Sequence, residues 1–251
     1  MIKVMSFNIR MGLANDGINH WQYRKSLTLQ RIQTFKPDLL GIQECWDDEN
    51  QAGFLKQRLF DYEFYGVQRG GQSGAAKEMS PALFKRSRFK CLERGAFWLS
   101  ETPSCVGSQD WDSAFPRTCL WFRLLHRKTQ RQLIFLNTHF DYQPIALVKS
   151  AKVLKQWLKQ NADTPLIVTG DFNADKHSET YRVLKTQLRD AHPTDDNTFH
   201  DYGQIQAGCP IDWLWMSSHF VVKHSAIDHY HQGAVYPSDH YPLLVRLDWK
   251  S

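Results

Sequence analysis

The sequence predicts a mixed α/β fold, and three observations predict it. Eight short runs are rich in β-branched, aromatic and aliphatic residues, as strands are. Two longer stretches repeat their apolar residues at helical spacing. Several strand-like runs follow one another with no helix between them, which argues for mixed sheets rather than a strict βαβ alternation.

In chain order, the first strand is Ile2–Asn8. A helix follows over Trp21–Phe35, with Leu27, Ile32 and Phe35 near helical spacing. Strands are expected next at Asp38–Glu44 and Pro81–Lys85. Between them Arg69–Ser80, rich in Gly, Gln and Ser, reads as a surface loop. Thr118–Leu125 and Gln132–Thr138 are consecutive strands. Ala146–Leu158 is a helix because Leu147, Ala151, Leu154 and Leu158 form one stripe. Strands at Leu166–Gly170, Ile211–Met216 and Leu243–Leu247 complete the set.

Composition sets the limits. The chain has 251 residues, 42% of them hydrophobic, enough for a sizeable core, and a single domain over residues 1–251 is expected. No linker, internal repeat or low-complexity tract divides it. The 31 basic residues exceed the 26 acidic ones by 5, a mild excess that suits a phosphorylated partner without requiring nucleic acid. Cys45, Cys91, Cys105, Cys119 and Cys209 are odd in number, widely spaced and without a CxxC pair. Free, mostly buried thiols are expected, not a zinc ribbon or redox motif. The N-terminus lacks the parts of a signal peptide, and no run approaches the roughly 18 apolar residues of a membrane helix. A cytoplasmic monomer with no membrane insertion and no obligate protein partner follows as the expectation. His219, His224, His229 and His231 lack a compact metal-binding spacing and read as solvated surface.

The informative feature is where the acidic and amide residues stand. Asn8 ends the first strand, Glu44 the second, His139 and Asp141 follow Leu133–Thr138, and Asp171 and Asn173 follow Leu166–Gly170. Asp212 lies early in its strand, and Asp239 and His240 precede the last one. Side chains alternate faces along a strand, so Asn137, His139 and Asp141 can share a face opposite Phe140, and Asp171 and Asn173 a face opposite Phe172. Carboxylate and amide oxygens are hard ligands that suit Mg²⁺ or Mn²⁺ rather than Zn²⁺. A phosphoester needs its developing charge neutralised, a water activated and the departing oxygen assisted, and carboxylates, amides, a metal and two histidines supply all three.

These residues resemble the endonuclease/exonuclease/phosphatase superfamily, whose members include deoxyribonuclease I and the Ccr4-type deadenylases. The matching segments are Ser6-Phe7-Asn8, Gln43-Glu44, Asn137-Thr138-His139, Gly170-Asp171-Phe172-Asn173, Ile211-Asp212 and Ser238-Asp239-His240-Tyr241-Pro242, in the family's order and across nearly the whole chain. The resemblance implies a four-layer sandwich of two packed sheets between helices. It implies a metal-dependent phosphoester hydrolase with Glu44 as principal metal ligand, aided by Asn8 and Asp239. Asp171 would orient or deprotonate the attacking water, taken ahead of an Asp212–His240 pair in that role. Asn173 would hold the phosphate or a metal-bound oxygen, His240 would contact the phosphate with Asp212 orienting it, and His139 would contact the phosphate or assist the leaving group. Glu78 is the candidate to orient His139. Many relatives carry a basic residue where this chain has Pro210.

Asn15–Trp21 with Arg24, and Phe97–Pro103 followed by Pro116-Arg117, are similar to small bacterial members of the superfamily. On that resemblance Arg117, Arg24, Trp21 and Asp141 are candidate substrate contacts: Arg117 as a planar phosphate clamp, and Trp21 or Trp111 as a stacking surface for a base or sugar. A nuclease, including a 3′-5′ exonuclease on RNA or single-stranded DNA, is the first functional expectation. A phosphatase or phosphodiesterase on a small molecule, phosphoinositide or phospholipid headgroup is the second, and a non-catalytic binding module the third.

Overall fold

The computed structural model describes residues 1–71 and 74–250; Gln72 and Ser73, inside the expected surface loop, lie outside the described residues. In chain order the strands are β1 Ile2–Asn8, β2 Leu39–Gln43, β3 Cys45–Trp46, β4 Tyr62–Tyr65, β5 Glu78–Met79, β6 Ala82–Lys85, β7 Phe89–Trp98, β8 Thr118–His126, β9 Gln132–His139, β10 Leu166–Asp171, β11 Arg189–Asp190, β12 Asp212–Met216, β13 Phe220–Ile227 and β14 Leu243–Trp249. The α-helices are α1 Trp21–Phe35, α2 Phe54–Arg58, α3 Pro144–Gln160 and α4 Glu179–Lys185. All eight expected strands and both expected helices form, with small shifts at their ends.

One six-stranded sheet runs β13-β14-β1-β2-β6-β4 and the other β11-β12-β10-β9-β8-β7. Each is built around one parallel pair, β1 with β2 and β9 with β10, and antiparallel strands flank both pairs. A parallel pair needs a crossover, which α1 and α3 supply. The two sheets therefore repeat one plan.

Alternation along the strands produces four layers. In β1, Ile2 and Val4 belong to the core between the sheets, while Met5 and Phe7 pack outward with Ile32 and Phe35 of α1. In β9, Leu133 and Phe135 face inward, and Ile134 and Leu136 pack with Ala151, Leu154 and Leu158 of α3. The result is helix, sheet, sheet, helix. Among the described residues, no helix is long and apolar enough to cross a membrane.

The inward-facing positions change character toward one end of the sandwich. Ile2 and Val4 give way to Ser6 and Asn8, and Leu133 and Phe135 give way to Asn137 and His139. Ile167 gives way to Thr169 and Asp171. A buried amide layer marks the change: Gln43 Nε2 donates to Asn137 Oδ1 at 2.7 Å, Thr169 Oγ1 donates to the same oxygen at 2.9 Å, and Asn137 Nδ2 donates to Ile42 O at 2.7 Å. The sheets close so tightly here that a Cβ on Gly41 would lie 2.1 Å from Thr169 Oγ1 and 2.3 Å from Asn137 Oδ1. Beyond this layer lies the polar mouth.

Two expectations need correction. Arg69–Ser80 is not simply a surface loop, since Arg69, Glu78, Met79 and Ser80 are buried and β5 pairs with β3. The cysteines are free but not mostly buried: Cys45 and Cys119 are, Cys91 is half-buried, and Cys105 and Cys209 are exposed.

Candidate active site

Strand register assembles the floor of the site. Asp171 pairs with His139 on one side and with Asp212 on the other, so three chemistry-bearing residues stand in one row across β9, β10 and β12. From the opposite sheet Asn8 pairs with Gln43, and Glu44 follows with a left-handed backbone (φ 55°) that turns its carboxylate toward Asn8. Asn173 (φ 49°) and Arg10 (φ 56°) are in the same region of conformation. Side chains adopt it at a cost, and such positions concentrate at functional sites.

Asn8 ties the two sheets together. Its Nδ2 donates to Glu44 Oε1 and to Asp171 Oδ2, both at 2.9 Å, while its Oδ1 accepts from Arg10 N at 2.9 Å. Asn8 thus presents its amide nitrogen to the carboxylates. In this arrangement it holds two acidic groups in place.

His240 Nδ1 hydrogen-bonds Asp212 Oδ2 at 2.8 Å, and its Nε2 lies 3.8 Å from Asp171 Oδ2. Burial opposes charging of this ring, but Asp212, followed by Asp171 and Asp239, overcomes it and pushes His240 up to about 10. Burial, with Asp212 beside it, pushes the Asp171 carboxyl up to about 7. Glu44 goes the other way: burial opposes its ionisation, but Arg10 and Asn8 outweigh it and hold the carboxyl below its usual value.

His139 Nε2 is 3.1 Å from Asn173 Nδ2 and 3.5 Å from Asp171 Oδ2. Burial, reinforced by Arg117 and Arg69, depresses this histidine well below its ordinary range, so its ring is neutral. Glu78 stands 3.7 Å from His139 Nδ1, too far for a hydrogen bond, and its carboxylate instead takes Arg69 Nη1 at 2.7 Å. Burial pushes Glu78 up to about 7.

The structure thus gathers Asn8, Glu44, Glu78, Arg117, His139, Asp171, Asn173, Asp212, Asp239 and His240 at one mouth. Four candidates fall elsewhere. Trp21, the first residue of α1, is 2% exposed in the core, and its indole donates to Asn50 O at 2.7 Å, so it offers no stacking face to the cleft. Arg24 is fully buried and spends its guanidinium on four carbonyls, those of Asn19, Ile9, Pro237 and Arg10. Asp141 is fully buried and accepts from Ala114 N, Phe115 N, Arg117 Nε and Gln143 N, which anchors a loop and an arginine rather than substrate. Trp111 is tied to Glu101 Oε1.

The mouth opens into a cleft of about 550 Å³. Arg10, Arg69, Phe115, Tyr142, Phe199 and Asp201 line it, and sequence reasoning missed all six. Only Arg10 carried a usable signal, two residues past a strand-ending Asn; the others lie outside the strands and α-helices, where nothing local distinguishes a cleft wall from ordinary surface.

Ligand atoms of Glu44, His139 and Asp171 lie within 4.8 Å of one another, as do those of Asp171, Asp212 and His240. Buried carboxylates converging from two sheets form a donor set able to hold a divalent cation. A model of the Endonuclease/Exonuclease/phosphatase family matches residues 5–240. The chain belongs to the endonuclease/exonuclease/phosphatase family.

Members of this family are phosphoester hydrolases. An endonuclease/exonuclease/phosphatase from Bacteroides vulgatus shares the fold at a TM-score of 0.91 and 32% identity, covering 99% of each chain. The mannosyl-6-phosphatase Bt3783 from Bacteroides thetaiotaomicron gives a TM-score of 0.88 and 29% identity, over 99% of this chain and 100% of that one. The 3'-5'-exoribonuclease subunit Ccr4 of Candida albicans is 22% identical over 217 residues, 74% of this chain and 27% of that protein. The chain spans about two thirds or less of the length of the first curated relatives it matches.

Proposed function

We propose that this family member is a Mg²⁺- or Mn²⁺-dependent hydrolase of a small-molecule phosphoester. One observation carries the reading: the reacting groups form the floor of a 550 Å³ cleft, and Asp171 there is only 1% exposed. A cleft of that size is in the range of small-molecule sites. Apolar walls from Phe115, Tyr142 and Phe199 stand beside the cationic Arg69 and Arg117, which suits an organic group carrying a phosphate.

Glu44, Asp171 and Asp239 would hold the cation, and their oxygens favour a hard ion. When bound, it neutralises phosphate charge and makes a water more acidic. The chain's own residues do the rest. Asp171, braced by Asn8 and by Asn173 N, accepts the proton of the attacking water. His240, fixed through Nδ1 by Asp212, presents Nε2 to the phosphate. Asn173 Nδ2 and the neutral His139 face the same region and serve the phosphate and the leaving oxygen.

A 3′-5′ exonuclease on RNA or single-stranded DNA is the second reading, favoured by the similarity to the Candida albicans exoribonuclease subunit. A panel of sugar phosphates, phosphoinositides, sphingomyelin and oligonucleotides, with Mg²⁺ or Mn²⁺ and with a chelator, separates the two. Turnover of a small phosphoester with little salt dependence is expected. Shortening of oligonucleotides from the 3′ end, weakening steeply with salt, moves the assignment to the second reading. Activity that survives the chelator, or an Asp171→Ala protein with full activity, overturns both.

A further inference from the structure

Arg10 lies among three carboxylates: its guanidinium makes two long hydrogen bonds to Asp16, Nε to Oδ2 and Nη2 to Oδ1, both at 3.4 Å, and only approaches the other two. Its Nη2 is 3.4 Å from Asp16 Oδ1, its Nη1 3.9 Å from Glu44 Oε2 and its Nε 3.6 Å from Asp239 Oδ2. A committed guanidinium–carboxylate pair closes to about 2.7–2.9 Å. The longer distances mark a cation divided among its partners.

The backbone of Arg10 is clamped, while its side chain is held only by the two long bonds to Asp16. Its N–H donates to Asn8 Oδ1, and its carbonyl accepts from Gln51 Nε2 at 2.8 Å and from Arg24 Nη2 at 3.1 Å. The side chain is 36% exposed and reaches into the cleft. Of its three partners, Asp16 alone is no part of the proposed metal site. Asp16 is fixed from behind by Tyr202, whose hydroxyl donates to Asp16 Oδ2 at 2.8 Å.

We propose that Arg10 is a built-in competitor for the metal carboxylates: divalent-cation binding at Glu44 and Asp239 drives its guanidinium away from both and leaves it to Asp16 alone, which already accepts two long hydrogen bonds from it and which Tyr202 holds in place. The inference rests on the metal reading above. Two cations cannot share the same carboxylate oxygens without repulsion, so the mobile one yields. Arg10 and Asp16 are then positioning residues that set the affinity of the site for its ion.

Titration calorimetry of the full chain with MnCl₂ alone tests this through a double-mutant cycle. Arg10→Met is expected to bind Mn²⁺ about fivefold or more tightly than the parent, a typical size for coupled sites. Asp16→Asn is expected to bind several-fold more weakly, because the displaced guanidinium loses its acceptor. In the Arg10→Met background the Asp16→Asn change is expected to have almost no effect. Equal weakening with and without Arg10 would overturn the proposal, since it would mean a general loss of negative charge. So would weaker binding by Arg10→Met. A second measurement on the unmutated chain avoids any folding defect. The Arg10 Nε–Hε NMR signal should shift during a Mg²⁺ titration, and the shift should saturate with binding; a stationary signal alongside saturable binding overturns the displacement. Absence of Mn²⁺ binding, or equal binding by Glu44→Gln, overturns the metal reading itself and this inference with it.

Discussion

Asp171 is reached by an amide from the opposite sheet, by His139 of the neighbouring β9, by His240 from the segment before β14 and by the backbone of Asn173. The two imidazoles are pushed in opposite directions: burial, reinforced by Arg117 and Arg69, favours the neutral form of His139, whereas Asp212 at 2.8 Å outweighs burial and favours the charged form of His240. Asp212→Asn removes the group that fixes the His240 tautomer. Turnover is expected to fall by about a hundredfold or more, the scale of a lost acid–base contribution, with substrate affinity less affected. Steady-state kinetics beside a melting curve separates this loss from unfolding. Arg24 makes the opposite prediction. In Arg24→Met four buried carbonyls lose a donor, each worth about 1 kcal/mol or more. A total near 4 kcal/mol lowers the melting temperature of a chain this size by about 8–16 °C. A Tm within about two degrees of the parent would show that Arg24 is not a structural tie. The sequence could not make this distinction, because an arginine that satisfies carbonyls and one that grips phosphate are written with the same letter.

The elements that build the site announce themselves because they obey two patterns at once. Val4-Met5-Ser6-Phe7-Asn8 and Val168-Thr169-Gly170-Asp171 keep apolar residues on the outer face while the inner face turns polar, so both strand and site are legible. The two longest strands that stayed hidden, β7 and β13, have a wet face. β7 mixes Lys90, Glu93 and Arg94 into its length, and β13 carries Lys223 and His224, because their outer sides meet solvent. Cleft-wall residues such as Phe115 and Phe199 lie outside the strands, where no periodicity operates. The closeness of the sheets at Gly41 was equally unreadable, since it depends on which strand lies opposite. Gly41→Ala puts a methyl into space already held by Thr169 and Asn137. Overpacking costs about 1–3 kcal/mol, so Tm should fall by several degrees. Activity should fall as well, because β1 and β10 carry Asn8 and Asp171 just beyond the strained layer. Unchanged Tm and activity would mean that the sheets separate there without cost.

The molecule as a whole is two sheets on one plan, and the site exists only where their polar ends meet. Glu44 comes with one sheet and Asp171 with the other, and Asn8 bridges them with two hydrogen bonds of 2.9 Å. A cation held by both carboxylates therefore braces the sandwich as well as the substrate. Ligand that binds only the folded state adds about 2.7 kcal/mol at a concentration one hundred times Kd. For a chain of this length that raises Tm by about 5–10 °C. Mn²⁺ is expected to give such a rise in a differential scanning measurement, and a chelator to reverse it. Because the ligands come from opposite sheets, Glu44→Gln and Asp171→Asn should each abolish most of the rise. A rise lost in Glu44→Gln but kept in Asp171→Asn would place the ion on the first sheet alone, and the two halves would then be joined by Asn8 without the metal's help.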